Sequence, residues 1–348
     1  MIIIIGAGLS GLLTGYLLKK EGIPFKILEA RNRVGGRINT LYRKDEAPVE
    51  MGATWFTKEH TNLIGLLEEL KLGYFAQVMT ESVFYQATAT TPTQLVQIPA
   101  DGSSYRISGG TSKLINTLVD KLDSRDILFN KSVKQVRFLD DAVEAKVAEL
   151  FTGSSIVLAI PPKLWANNIS FEPALPNDLI KVARQTQTWM EDSIKVALTF
   201  KEPFWEQQRI PATLFSNAGP VGELYDHCDL ERSSFALCGF IHSSFKNLSF
   251  AERKEKVLSQ LKNIFGASVL HFLHYEECVW SKEAQTFQLS EPPVLPHQNN
   301  GHAIFRQSLF DGRLIISSSE SAAAFAGYME GAVLSAMEAV NRILNKKK

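Results

Sequence analysis

The first 37 residues constrain the fold of this chain more than any other stretch. Residues 1–5 are apolar and largely β-branched, which predicts a strand, and residues 12–20 have the apolar spacing of a helix. Residues 25–28 predict a second strand, which ends at the acidic residue Glu29. The glycine turn GAGLSG, residues 6–11, joins the first strand to the helix. This order predicts a βαβ unit.

Each glycine of the turn has its own predicted role. Gly6 permits a tight turn, Gly8 lets the backbone approach a pyrophosphate, and Gly11 allows close helix–strand packing. The helix N-terminus, which includes Ser10, offers free N–H groups and a partial positive charge to phosphates. Glu29 follows Gly11 by 18 residues, where an acid accepts hydrogen bonds from a ribose and repels a 2′-phosphate. The sequence therefore predicts an adenine dinucleotide site and disfavours NADP.

Composition limits the other classes of function. With 348 residues, the chain can bury roughly three quarters of its unfolded surface in about two domains. Lysine plus arginine equals aspartate plus glutamate at 37 each, so no net field attracts nucleic acid or an anionic membrane. A membrane or signal segment is the alternative for the uncharged residues 2–18, but they lack a basic start and a cleavage site. We predict neither a nucleic-acid partner nor a membrane partner.

The cysteines and histidines do not suggest a metal. Cys228, Cys238 and Cys278 have no CxxC spacing, so disulfides and a structural metal site are not expected, and a reducing cytoplasm fits best. The seven histidines show no HxxxH or HxH pairing. We therefore predict no metal site.

The remaining pattern predicts an α/β fold of two domains. Further helices are expected at residues 62–72, 113–122 and 327–345, and further strands at 83–99, 127–139, 143–150, 155–160, 194–200, 235–241 and 314–317. A last strand and helix that return to the first sheet indicate a discontinuous, Rossmann-like nucleotide domain with an inserted α+β substrate domain. The predicted nucleotide domain comprises residues 1–56, 105–162 and 290–348, and the substrate domain comprises residues 57–104 and 163–289.

Six blocks of sequence carry a more specific signal. They are EARNRVGGR at residues 29–37, EMGATW at 50–55, SGG at 108–110, a strand ending in two prolines at 157–162, SIK at 193–195 followed by KEPFW at 201–205, and GYMEGA at 327–332. Together and in this order they resemble the flavin-containing amine oxidases of the monoamine oxidase type. The resemblance implies noncovalently bound FAD, oxidation of an amine, and O2 as the electron acceptor.

Several residues are candidates for holding this FAD. Gly35 and Gly36 lack a Cβ, so the backbone can lie against the ribityl or pyrophosphate chain, and Arg37 offers a positive charge to the diphosphate unless it forms only an exposed salt bridge. The N–H of Met329, at a helix N-terminus, suits the negative N1–C2 edge of reduced flavin. The resemblance adds to this set Arg31, Gly52, Ala53, Trp55, Val133, Trp280 and Glu320. Val133 matches an adenine contact of the family, with a plain core position as the alternative.

Three residues are candidates for the chemistry. The lysine that matches Lys195 holds a water against flavin N5 in the family, although a surface lysine fits the alternation of its strand equally well. A lysine in a dry pocket has a lowered pKa and can assist oxygen reduction or imine hydrolysis. The matching tyrosine of Tyr328 is one wall of an aromatic cage for the substrate amine, and a core tyrosine is the alternative. Phe287 is the nearest candidate for the second wall.

The chain also departs from the family. Ser318-Ser319-Glu320 replaces a step with glycine before the acid, which puts the backbone approach to FAD in doubt, and residues 283–289 contain no cysteine for a covalent link.

We expect a cytoplasmic FAD-dependent oxidase that passes hydride to flavin N5 and reduces O2 to H2O2. Without an acidic cluster among the candidates, a hydrophobic or aromatic amine is favoured. A flavin desaturase or porphyrinogen-type oxidase, and an FAD-binding sensor of low turnover, remain alternatives, and the oligomeric state is open.

Overall fold

A computed structural model describes residues 1–98, 104–290 and 292–346. Its helices are α1 (Leu9–Lys20), α2 (Thr61–Glu69), α3 (Ser112–Asp120), α4 (Pro162–Asn168), α5 (Asn177–Arg184), α6 (Phe204–Gln207), α7 (Phe250–Phe265) and α8 (Met329–Asn345). Its strands are β1 (Ile2–Ile5), β2 (Phe25–Leu28), β3 (Thr40–Leu41), β4 (Val49–Glu50), β5 (Tyr74–Ala76), β6 (Ser82–Gln86), β7 (Gln94–Gln97), β8 (Tyr105–Ile107), β9 (Ile127–Leu128), β10 (Gln135–Phe138), β11 (Val143–Lys146), β12 (Leu150–Gly153), β13 (Ser155–Leu158), β14 (Ser170–Glu172), β15 (Ile194–Phe200), β16 (Leu214–Ser216), β17 (Val221–Asp226), β18 (Phe235–Ile241), β19 (Phe272–Val279) and β20 (Leu314–Ile316).

A five-stranded parallel sheet contains the predicted βαβ unit. Its strand order is β20-β13-β1-β2-β9, and every neighbouring pair runs parallel. The four isoleucines of β1 are all buried because both faces of the sheet are covered. Ile2 and Ile4 pack in the cluster that includes α1 and α8, whereas Ile3 and Ile5 pack with α4 and a second sheet. The βαβ prediction from the sequence is confirmed.

The second sheet has the order β12-β11-β10-β14, and it differs from the sequence prediction in two ways. Residues 127–139 form two strands in different sheets, because Asn130 takes a left-handed conformation (φ +58°) that turns the chain out of the parallel sheet. Asparagine tolerates this conformation better than most residues. In addition, β14 pairs with β10, so the predicted division at residues 162/163 falls between two strands that share one sheet.

A seven-stranded sheet carries the other residues of interest, in the order β19-β15-β18-β17-β16-β6-β7. The predicted strands 194–200 and 235–241 are confirmed as β15 and β18, and residues 83–99 contain β6 and β7, with Pro99 outside the described residues. Ile194, Val196 and Leu198 pack on one face of β15 with α7. The intervening residues face β4, where Ala197 packs against Val49.

None of the helices in the described ranges is both long enough and apolar enough to cross a bilayer.

Candidate active site

A cavity of about 640 Å³ connects the glycine turn with Lys195 and Tyr328. The predicted site residues that line it are Gly6, Gly8, Ser10, Glu29, Arg31, Gly35, Gly36, Arg37, Gly52, Ala53, Trp55, Val133, Lys195, Trp280, Phe287, Tyr328 and Met329. Two predicted cofactor contacts, Gly11 and Glu320, are not among the lining residues. Gly11 lies against the backbone of Gly6, and Glu320 pairs with Arg37; Gly6 and Arg37 both line the cavity.

The glycine turn has the shape that a phosphate-binding loop requires. Gly6 has φ +104°, and a Cβ there would lie 2.5 Å from Ile160 Cγ2. A Cβ on Gly11 would lie 2.0 Å from the Gly6 carbonyl oxygen, so the predicted close packing requires glycine at this position. Gly8 precedes α1, and a Cβ there would meet no protein atom within 4 Å, because it would project into open space. Gly8 therefore gives a ligand access to the N-terminus of α1.

Glu29 and Gly35 connect the glycine turn at residues 6–11 to residues 31–36. The Glu29 carboxylate is buried and accepts the backbone N–H groups of Ala7 and Arg31, each at 2.8 Å and each at a different oxygen. Each oxygen keeps a second lone pair, so Glu29 can still accept ribose hydroxyls. The Gly35 N–H donates to the Ala7 carbonyl at 2.8 Å, and Gly35 and Gly36 both have positive φ. The arrangement fits an adenine dinucleotide.

Arg37 lines the cavity but is also paired. Its guanidinium donates to both carboxylate oxygens of Glu320, at 2.6 and 3.1 Å, and to the Ser319 hydroxyl at 2.8 Å. Glu320 is fully buried and also accepts the Trp189 N–H at 3.3 Å. Burial opposes its ionisation, but the Arg37 charge holds the pKa of Glu320 below its usual value. Glu320 therefore positions Arg37 at the cavity wall, and its contact with the cofactor stays a prediction.

Lys195 is buried in an aromatic box. Its Nζ lies 4.4 Å from the ring centroids of both Trp55 and Phe240, and it donates to the Thr54 hydroxyl at 2.9 Å. Burial lowers the pKa of Lys195, and the nearby Cys238 and Glu50 only partly oppose this effect. The alternative of a surface lysine is wrong, since Lys195 is 1% exposed.

Phe240 and Thr54 were missed by sequence reasoning for different reasons. Phe240 is the cross-strand partner of Lys195 on β18, and the register of these strands cannot be read from either segment alone. Thr54 belongs to the EMGATW block that predicted its neighbours, so the signal for it was present.

Tyr328 lies just before α8 and is 38% exposed, so it is not a core residue. The rings that pack on it belong to Trp189 at 5.5 Å, His60 at 5.9 Å and His297 at 6.1 Å between centroids. Phe287 lines the same cavity without belonging to this set. The ring beside Tyr328 in the cavity wall is thus Trp189, in the loop before β15, and no sequence motif pointed to it.

Other predicted residues close the cavity. The Trp280 indole N–H donates to the Met51 carbonyl at 2.7 Å, and Arg31 donates to Glu283 and Thr286 at 3.2 and 2.9 Å. These contacts hold residues 280–286 against Met51 and Arg31, close to the glycine turn and Glu29. None of the described residues that line the cavity is a cysteine, which fits a cofactor without a covalent link.

Comparison with known proteins assigns the family. A family model described as flavin containing amine oxidoreductase matches residues 9–91 and 72–344. Human amine oxidase (flavin-containing) B is 22% identical over 99% of this chain and 86% of its own length. The probable flavin-containing monoamine oxidase A of Dictyostelium discoideum is 22% identical over 99% of this chain and 98% of its own length.

Solved structures share the fold. Cyclohexylamine oxidase from Brevibacterium oxydans IH-35A has a TM-score of 0.86 at 19% identity, covering 100% of this chain and 99% of that one. A putrescine oxidase with bound putrescine has a TM-score of 0.83 at 21% identity, covering 99% and 98%. The family match extends over nearly the whole chain. The chain therefore belongs to the flavin-containing amine oxidoreductase family and is an FAD-dependent amine oxidoreductase.

Proposed function

We propose that this enzyme oxidises a hydrophobic or aromatic monoamine, primary or secondary, to an imine. The observation that carries the proposal is the charge of the cavity wall. Of the described residues that line it, Glu29 is the one carboxylate, and its two oxygens are held in the glycine turn by Ala7 and Arg31. A second ammonium group, as in a diamine, would be buried without a counter-charge, which is costly.

The names of the structural neighbours frame the choice. One neighbour is named a cyclohexylamine oxidase and the other a putrescine oxidase. Cyclohexylamine is a hydrophobic monoamine, whereas putrescine is a diamine. Beside Lys195 the wall is formed by the rings of Trp55 and Phe240, and beside Tyr328 by Trp189. Such a wall stabilises an apolar substituent by burial and the amine nitrogen by the ring faces. These contacts support the monoamine.

The chain offers a place for each part of FAD. Glu29 suits the ribose, Gly8 and the N-terminus of α1 suit the pyrophosphate, and the Met329 N–H suits the flavin N1–C2 edge. When bound, FAD supplies the acceptor for the hydride from the carbon next to nitrogen and passes the electrons to O2. We keep Val133 as the adenine contact.

Lys195 is proposed to hold and activate a water. Burial lowers its pKa, so the neutral amine is accessible and can accept a proton as well as donate a hydrogen bond. Water then hydrolyses the released imine. The net reaction converts the amine, O2 and water into a carbonyl compound, ammonia or a smaller amine, and H2O2.

The division into domains follows the two large sheets. All five parallel strands lie within residues 1–56, 105–162 and 290–348, the proposed FAD-binding portion. All strands of the seven-stranded sheet lie within residues 57–104 and 163–289, the proposed substrate portion. The pairing of β14 with β10 indicates that the FAD-binding portion extends beyond residue 162.

We also propose a reducing compartment, the cytoplasm, because Cys228, Cys238 and Cys278 are all free thiols.

Anaerobic reduction of the flavin tests the substrate class. We expect benzylamine and cyclohexylamine to bleach the visible flavin absorbance, and putrescine and spermidine to leave it unchanged. Bleaching by putrescine at the rate of cyclohexylamine would refute the monoamine proposal. Bound FAD that no amine reduces would favour the desaturase, porphyrinogen-type or sensor alternatives. Admission of air with peroxide detection then tests O2 as the acceptor.

A matched pair of variants tests the role of Lys195. Lys195→Met removes the amine from its aromatic box, whereas Lys254→Met removes a lysine that lies over two other rings, Phe272 and Tyr275, outside the cavity. We expect Lys195→Met to keep its FAD and lose at least about tenfold in turnover, a change of about 1.4 kcal/mol in barrier. Lys254→Met should turn over like the wild type. Equal rates for the two variants would contradict the assignment.

A further inference from the structure

A second, small cavity has Glu50 in its wall. It measures about 20 Å³, and among the residues that line it are Glu50, Phe75, Arg106, His227 and Asp229. We call it the Arg106 chamber. It shares no lining residue with the cavity that contains Lys195 and Tyr328. The proposed reaction assigns no role to these residues.

Arg106 has a fully buried donor, its Nε–H, without a partner within the described residues. Its side chain is buried, with 6% exposed, and its Nη2 donates to the Cys228 carbonyl at 2.6 Å. The guanidinium carbon lies 4.7 Å from the ring centroid of Phe75. The Nε–H is buried and has no hydrogen-bond partner within the described residues. A buried arginine rarely leaves a donor unpaired, because the lost hydration is not recovered.

The His227 ring has a buried nitrogen without a partner in the part of the chain that the structure describes, as the Arg106 side chain has. It is 2% exposed, and its Nδ1 is buried and has no partner within the described chain. Burial, together with the positive charges of Arg106 and Lys195, holds the pKa of His227 well below its usual value. The imidazole is therefore neutral, so one of its ring nitrogens is an acceptor.

We propose that the Arg106 chamber binds one water molecule, which accepts from the Arg106 Nε–H and donates to His227 Nδ1. The volume suffices, since a cavity needs about 10–15 Å³ to hold a water. Glu50 supplies the further polar partner in the chamber wall. A small anion fits less well because Glu50 and Asp229 both line the chamber, and a metal cation is opposed by Arg106.

The water also sets the state of His227. A water that donates to Nδ1 fixes the ring proton on Nε2. The chamber is electrostatically coupled to Lys195: the Glu50 carboxylate raises the pKa of Lys195, and the Lys195 charge lowers the pKa of His227. The inference does not depend on the identity of the amine.

A crystal structure of the FAD-bound protein tests the site directly. We expect one ordered water within about 3.2 Å of both Arg106 Nε and His227 Nδ1. Selective ¹⁵N labelling of histidine, assigned with His227→Leu, should show the neutral Nε2–H tautomer of His227 from pH 5 to pH 9. No water peak, a chloride-sized anion, or an Nδ1–H tautomer would each overturn the proposal.

Double-mutant unfolding gives an independent test. Arg106→Met and His227→Leu each leave one partner of the water unpaired, whereas the double variant removes both. We expect the double variant to lose no more in unfolding midpoint than the worse single variant. Arg106→Met combined with His242→Leu is the control, because His242 contacts the Ser216 carbonyl and does not line the chamber, so these losses should add. Additive losses for Arg106 and His227 would refute a shared water.

Discussion

Alanine at Gly8 and at Gly11 should separate FAD binding from folding. The two glycines are three residues apart in one turn, but a Cβ on Gly11 would lie 2.0 Å from the Gly6 carbonyl oxygen, and a Cβ on Gly8 would meet no protein atom within 4 Å. Gly8 has φ −76° and ψ −178°, which alanine adopts without strain. The same substitution therefore has opposite consequences at the two positions.

The sizes of the effects follow from these contacts. For Gly11→Ala, overpacking against the backbone lowers the free energy of unfolding by about 3 kcal/mol, and the better helix propensity of alanine offsets up to about 1 kcal/mol of this loss. A chain of this length unfolds with an entropy of roughly 0.7 kcal/mol/K, so a net loss of about 2 kcal/mol lowers the midpoint by about 3 °C. For Gly8→Ala, stability changes by less than about 0.5 kcal/mol. Its methyl group occupies ligand space, so Kd for FAD should rise at least about tenfold.

Both quantities are measured on the apoprotein. Bound FAD would raise the midpoint of each variant by mass action and mask the difference in intrinsic stability. Fluorescence titration with FAD gives Kd, and thermal unfolding followed by circular dichroism gives the midpoint. Wild-type affinity in Gly8→Ala, or a wild-type midpoint in Gly11→Ala, would refute the reasoning.

Three further variants probe other parts of the site. Lys195→Met should be about 1 kcal/mol more stable than the wild type at pH 7, because it removes a buried amine. The lowered pKa of Lys195 means that the unfolded chain binds the extra proton, so the wild type gains stability as the pH rises, and the gap should close by about pH 10 in urea unfolding. Glu320→Gln should cost about 2 kcal/mol at pH 7 through the loss of the Arg37 pair. Because the pKa of Glu320 is lowered, wild-type stability should fall toward that of the variant only below about pH 4.3, which acid unfolding curves would show. Trp189→Ala should raise KM for benzylamine about tenfold in steady-state assays, through lost ring contact of about 1.4 kcal/mol, and Trp189→Phe should restore most of it.

The parts of the site that could be predicted are those whose physics is local. Gly6, Gly8 and Gly11 are constrained by a single turn, and their roles follow from spacing within eleven residues. Glu320 could not be assigned in this way, because its partner Arg37 is 283 residues away in sequence. The sequence shows the acid, but its pairing with Arg37 depends on how the two segments dock.

The aromatic wall shows the same limit. The short separation from Trp280 in sequence favours Phe287 as the second ring, and Phe287 does line the cavity. Trp189 reaches Tyr328 because the loop before β15 is held by the Glu320 carboxylate, which accepts its N–H. That contact depends on the docking of three distant segments. Sequence periodicity carries no information about it.

The case for a chemical role of Lys195 is strongest in the energetics of its strand. All seven residues of β15 are buried, between β18 and β19 and with both faces covered, so alternation does not bring any of them to solvent. A lysine there loses hydration at a cost of several kcal/mol. Within the described residues no carboxylate forms an ion pair with its Nζ, so the Thr54 hydroxyl, two ring faces and the more distant Glu50 and Cys238 compensate only in part. Methionine has a similar length and would pack at this position without that cost. Stability alone therefore disfavours lysine at residue 195, which supports the role that we propose for it in the cavity.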